Sequence, residues 1–110
     1  MFLVVVLFAS CTQEQTSVQI QNDSSHITLY DVQIHTYMQN RMVETVSCGT
    51  ALPNTLLPIY FVETQSEEAN VSFYVINNGI QSERKYTVYK QSIRTGMLNT
   101  IHINNTTLIE

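Results

Sequence analysis

The chain has no tryptophan, three glycines, two prolines, two cysteines and only five basic residues in 110 positions. Each scarcity excludes something. Lys85, Lys90, Arg41, Arg84 and Arg94 are too few and too scattered to neutralise a phosphate backbone, so a nucleic-acid surface is excluded. Two cysteines cannot make a disulfide-dense scaffold. After the first ten residues the longest apolar stretch runs from Leu56 to Val62, far short of the roughly 20 residues a membrane-spanning helix needs. No Gly-rich phosphate loop, G-x-S-x-G or C-x-x-C motif occurs. A Cys…Trp…Cys pattern is also missing, which excludes an antibody-type domain. What is there is a globular composition. Ten Ile and eleven Val are more than a disordered tail would carry, and nine acidic residues set the formal charge at −4. This is the composition of one small, mildly acidic domain.

The apolar residues are unevenly spread. Residues 1–10 read MFLVVVLFAS, with no charge and an unbroken apolar run from Phe2 to Phe8. That run is too short to cross a bilayer but has the length of the apolar core of a secretory signal. Ala9 and Ser10 are small, as a signal peptidase requires, and Cys11 follows. The residues alone leave three readings: a lipoprotein signal, an ordinary cleaved signal, or a first strand buried in the domain. The string Leu7-Phe8-Ala9-Ser10-Cys11 resembles the lipobox of bacterial lipoproteins. That resemblance implies a mature chain starting at an acylated Cys11, held on a membrane by its acyl chains. A secretory signal opens on Lys or Arg, and none precedes Arg41, so a start upstream of Met1 is expected. The expected organisation is a signal over 1–10, a polar lipid-anchored tether over 11–17 (CTQEQTS) and a domain over 18–110.

From Val18 onward the apolar period is two. Val18 and Ile20 alternate with glutamines, and Asn22-Asp23-Ser24-Ser25 is a turn cluster. Tyr30, Val32 and Ile34 form the next alternation. Ile27 and Leu29 fall on its opposite phase, which predicts a bulge or a strand entry near Leu29. Gln39-Asn40-Arg41 turns the chain into a short return strand over Met42–Val46. Ser47 to Pro58 reads as the longest irregular stretch, and a strand starts on Ile59 and Phe61. Val71, Phe73 and Val75 alternate clearly. Asn78-Gly79 follows, the strongest short hairpin signal because both residues accept positive φ. Tyr86 and Val88 return, Arg94-Thr95-Gly96 turns, and Ile101 and Ile103 alternate with His102. Asn104-Asn105 turns again into Thr106–Ile109. Seven or eight short strands predict an all-β, two-layer antiparallel sandwich. The expected core is Val18, Ile20, Val32, Ile34, Ile59, Phe61, Val71, Phe73, Val75, Tyr86, Val88, Ile101 and Ile103.

The run Val18-Gln-Ile-Gln-Asn22-Asp-Ser24, then Asp31-Val-Gln-Ile34, then Leu52-Pro53-Asn54 before Ile59-Tyr-Phe61, resembles immunoglobulin-like domains of bacterial envelope proteins. Gly96 to Ile103 (GMLNTIHI) is similar to short envelope lipoproteins of the Bacteroidota type. The resemblance implies an immunoglobulin-like sandwich and transfers no functional residue.

Candidate chemistry is sparse. His26, His35 and His102 lie at no metal-ligand spacing, although His35 and His102 would meet if their strands were neighbours. Cys48 has no base at a telling spacing and reads first as a packed or inert thiol, with a disulfide to Cys11 or to another chain, and then a reactive thiol, as the alternatives. Four Asn, at 22, 70, 104 and 105, begin N-x-[ST] sequons, which in a bacterial lipoprotein are turn residues. Tyrosine is the one excess. Tyr60, Tyr74 and Tyr89 are the candidate interaction surface, since exposed Tyr is a common interface anchor. No catalytic residue, metal site or cofactor is expected. The functional expectation is a non-catalytic, membrane-anchored binding or assembly module of the bacterial envelope. Its partners would be the membrane, through the anchor, and an envelope protein, with no nucleic acid and no small-molecule substrate evident. Thr12 is not the Asp that resembles an inner-membrane retention signal, so the outer membrane is preferred. The alternative is a subunit of a surface fibre or adhesin that associates by strand addition.

Overall fold

The computed structural model describes residues 15–104, and they form an all-β domain. The leader, Cys11 and the strand expected over Thr106–Ile109 lie outside the described residues. Eight strands follow in order: β1 (Ser17–Asn22), β2 (Ile27–Met38), β3 (Arg41–Ala51), β4 (Tyr60–Phe61), β5 (Glu68–Asn77), β6 (Ile80–Gln81), β7 (Tyr86–Ser92) and β8 (Leu98–Ile103). They form a three-stranded sheet ordered β4-β1-β8, and a five-stranded sheet in which β3-β2-β5 run side by side. Both β6 and β7 pair with the remaining edge of β5. β1 begins one residue before the boundary read at Val18. Thr16 is already fully buried, with its Oγ1 donating to Thr64 O at 2.8 Å.

One pairing departs from the antiparallel expectation. β1 and β8 are parallel over six residues, from Ser17 opposite Leu98 to Asn22 opposite Ile103. They stand some 80 residues apart in sequence, so no hairpin signal could announce them. The pairing ties the two ends of the described chain together. Asn99 helps: its Nδ2 donates to Ser17 O at 3.1 Å, while its Oδ1 accepts from Arg94 N at 2.8 Å and shapes the preceding turn.

Turn chemistry behaves as its residues require. Asn78 and Gly79 have φ of 53° and 76°, the mirror-image turn that matches strand twist. Gln39 and Asn40, at 52° and 64°, make the same kind of turn between β2 and β3. Asp31 (φ 53°) sits in a bulge where the registers of β2 against β3 and β5 both shift. The expected bulge therefore falls between Leu29 and Val32. It puts Leu29 in the core and turns Tyr30 outward, so Tyr30 is not in phase with Val32 and Ile34.

Buried residues of both sheets form one cluster. Val18, Ile20, Val32, Ile34, Val71, Phe73, Ile101 and Ile103 lie in it as expected, with Val75, Tyr86 and Val88 packed against it. Phe73, fully buried, stacks on Tyr86 with ring centroids 6.3 Å apart. Two expected core residues are displaced. Ile59 and Phe61 are 48% and 65% exposed, and Leu57 and Val62 are buried in their place. Ile59-Tyr-Phe-Val62 is apolar in both phases, so alternation could not choose between them. Pairing of Phe61 with Ser17 and of Tyr60 with Val18 fixes the phase. Phe61 and Leu98 flank Ser17 on either side across the small sheet, which is why so small and polar a residue is only 6% exposed. β3 is also longer than the expected Met42–Val46. Gly49, at φ 82°, lets the strand kink and continue to a buried Ala51 through what reads as loop.

Candidate functional site

Alternation in the five-stranded sheet gives it one face turned into the core and one turned away. On the outward face β2 presents Gln33, His35 and Tyr37, and β5 presents Asn70, Ser72 and Tyr74. The register sets Gln33 opposite Ser72, His35 opposite both Asn70 and Thr45, and Tyr37 opposite Glu68 and Met42. On the far side Ser72 faces Thr87 of β7. Four of the six tyrosines occupy this face: Tyr30 and Tyr74 as a cross-strand pair at one end, and Tyr37 and Tyr89 toward the other. The Lys85 ammonium lies 5.5 Å from the centre of the Tyr74 ring.

His35 is the polar hub. Its Nδ1 is 3.0 Å from Thr45 Oγ1 and its Nε2 3.1 Å from Ser72 Oγ, so one ring crosses β3, β2 and β5. The Thr45 hydroxyl also reaches Met42 Sδ at 3.8 Å. Both ring partners are hydroxyls, each able to donate or accept, so either neutral tautomer of His35 is satisfied. Burial, and then the Lys85 charge, lower the His35 pKa below its usual value, so the ring is neutral at pH 7. Both ring nitrogens are engaged and Ser72 is only 3% exposed. The network fixes the ring as a rigid floor for the face.

Around that floor lies an open depression of about 350 Å³, lined by His35, Gln33, Thr87, Lys85, Tyr37 and Tyr89 among others. A smaller hollow of about 160 Å³ adjoins it and shares Tyr37, Asn70 and Tyr89. Tyr89 is 66% exposed. The two hollows make one shallow trough of amide, hydroxyl and imidazole groups, with tyrosine rings toward one end.

The three tyrosines singled out from sequence divide differently. Tyr74 and Tyr89 share the face but are not neighbours. Tyr74 lies past the Phe73–Tyr86 pair beside Lys85, whereas Tyr89 lies past the Val71–Val88 pair toward the opposite end. Tyr60 belongs to the other sheet, and its hydroxyl donates to Cys48 O at 3.3 Å. Burial, and then Cys48, push that hydroxyl's pKa up. Tyr30 and Tyr37 were missed. Tyr37 shares the phase of His35 and was legible. Tyr30 was not, because the Asp31 bulge decides its side.

The other candidates fall apart from this face. His102 is on β8 in the small sheet, 2.9 Å from Asp23 Oδ2, and does not meet His35. Among the described residues no three His, Cys, Asp or Glu side chains are placed to hold a metal ion. Cys48 is 7% exposed, and burial pushes its thiol pKa up to about 11. Asn22 is fully buried, and its amide nitrogen lies 2.8 Å from Ile27 O and 3.1 Å from both Ala51 O and Leu52 O. A glycan could not sit there in the folded state. Asn70 accepts from Lys90 N at 2.9 Å, and Asn105 lies outside the described residues. Among the described residues no helix is long and apolar enough to cross a membrane. Compared with models of protein families, with curated proteins and with solved structures, the chain matches none.

Proposed function

We propose that the chain is a non-catalytic binding or assembly module on an immunoglobulin-like two-layer sandwich. It is held at the bacterial envelope, on the outer membrane, by acyl chains on Cys11. The observation that carries the binding reading is the outward face of the five-stranded sheet. It carries four tyrosines, of which Tyr37 and Tyr89 share a hollow with the immobilised His35, while the opposite face joins the core. A stiff scaffold bearing exposed amphipathic rings is suited to recognition, because little rotamer freedom is lost on binding. The hydrophobic cluster shared by both sheets supports the sandwich reading. The anchor rests on Leu7-Phe8-Ala9-Ser10-Cys11. Intact mass of the full chain, expressed in a bacterial host and extracted from membranes, tests it. A diacylglyceryl adduct on Cys11, with C11A released into the soluble fraction, is the expected result. With a basic segment placed before Met1, a chain that keeps residues 1–10 ahead of an unmodified Cys11 would refute it.

A second reading, self-association by strand addition, is favoured by β3. Among the described residues its 11 residues pair with β2 alone, so within that set one side of a long strand has open backbone groups. Light scattering of the detergent-extracted chain across concentrations tests it, and a strict monomer throughout counts against it.

A further inference from the structure

We infer that the trough on the outward face of the five-stranded sheet binds a neutral oligosaccharide, with sugar rings stacked on Tyr37 and Tyr89. The inference rests on the binding-module reading above and names its ligand class. A pyranose offers an apolar C–H face bordered by hydroxyls, each a donor and an acceptor. Its counterpart is an aromatic plane beside uncharged groups that also donate and accept. The trough has that composition. Tyr37 and Tyr89 border both hollows, and Asn70 lies between them in the smaller one. Gln33, His35 and Thr87 line the larger hollow as amide, imidazole and hydroxyl. The trough crosses β3, β2, β5 and β7, about 14 Å at roughly 4.8 Å per strand spacing, so it takes a chain of sugars lengthwise.

Charge argues against other ligands. The trough's cations are Lys85 and Lys90. The first lies over the Tyr74 ring and the second shares the smaller hollow with Glu68. That is too little positive charge for an anionic polymer or a phosphate-rich surface. A protein-docking hot spot wants a desolvated apolar centre. Here the centre is polar, because His35, Thr45 and Ser72 satisfy one another there.

The full chain, extracted in detergent, is applied to an array of neutral plant, host and bacterial oligosaccharides, and positives are measured by titration calorimetry. Binding is expected with Kd between micromolar and millimolar, the range of a shallow open site. Y37A and Y89A should each weaken it at least about tenfold. Y89F should stay within about threefold, since the ring remains, and I80A, at the exposed start of β6 away from the trough, should change nothing. Circular dichroism confirms that each variant is folded. Glycan binding that survives Y37A and Y89A overturns the site. A folded chain that binds no neutral glycan overturns the ligand class. Photo-crosslinking from position 87 in intact cells separates that failure from failure of the module reading. A discrete protein adduct lost in Y37A/Y89A would keep the module and discard the sugar. Neither glycan nor adduct would remove both.

Discussion

Replacing Asn22 is the sharpest test of how this domain is held together. The side chain sits at the end of β1 with no exposed surface. Its Oδ1 accepts from Ser24 N at 3.0 Å, which shapes the turn into β2. Its two amide hydrogens are shared among Ile27 O at the start of β2, Ala51 O at the end of β3, and Leu52 O. One amide thus joins a strand of the small sheet to two of the large one. In N22A those groups lose their partner. A buried polar group left unsatisfied costs about 1–3 kcal/mol. The Ile27, Ala51 and Ser24 contacts are buried, whereas Leu52 is 59% exposed and its carbonyl can turn to water. With each of the three buried groups taken toward the lower end of that range, the loss is about 3–5 kcal/mol, a large share of the roughly 5–15 kcal/mol such a domain has. At a urea slope of about 1.5 kcal/mol per molar, the midpoint should fall by about 2–3 M. N22D should be worse at pH 7, because a carboxylate would face three carbonyl oxygens with no proton to offer. Its folded-state pKa would then lie above its unfolded value. The penalty would be complete above the folded pKa and would shrink as pH falls through it toward the unfolded one. Urea unfolding of the full chain, followed by circular dichroism at pH 7 and pH 4, measures both variants. N22A within about 1 kcal/mol of the parent, or N22D less stable at pH 4 than at pH 7 relative to the parent, would refute the reasoning.

Three further outcomes are expected. Cys48 should resist thiol reagents in the native state and react at the rate of opening. Its free thiol would ionise near 9 when unfolded but only near about 11 when folded, so stability should fall as pH rises through that window, and C48A should flatten the slope. His35 should titrate below its ordinary 6.5 by NMR. K85M should move it partway back, because Lys85 is the lesser cause after burial. A ring held neutral supports the fold above the unfolded pKa, and that support should be lost as pH drops below 6.5 toward the folded value. G79A should cost about 1 kcal/mol in chemical denaturation. Nothing lies within 4 Å of an added Cβ, so the cost comes from φ 76° alone. A cost near zero would mean the turn rearranges.

Local residue pattern is enough to set the secondary-structure class and the strongest strands. Val71 and Phe73, Val18 and Ile20, and Ile101 and Ile103 go inward because alternation leaves one phase apolar and the other polar. Asn78-Gly79 determined its turn because few residues tolerate its two positive φ angles. Tertiary structure decided what local pattern leaves degenerate. Ile59 to Val62 is apolar in both phases, so only pairing with Ser17 and Val18 could turn Phe61 outward and Val62 inward. Gly49 carries β3 past its apparent end because the partner strand β2 continues beside it. The parallel union of β1 with β8 joins segments that no local signal connects. The tyrosine face has the same origin. Its rings come from β2, β5 and β7, with one of them flipped outward by the Asp31 bulge. A surface assembled from distant strands has no periodicity of its own, so it becomes legible only when the register is known.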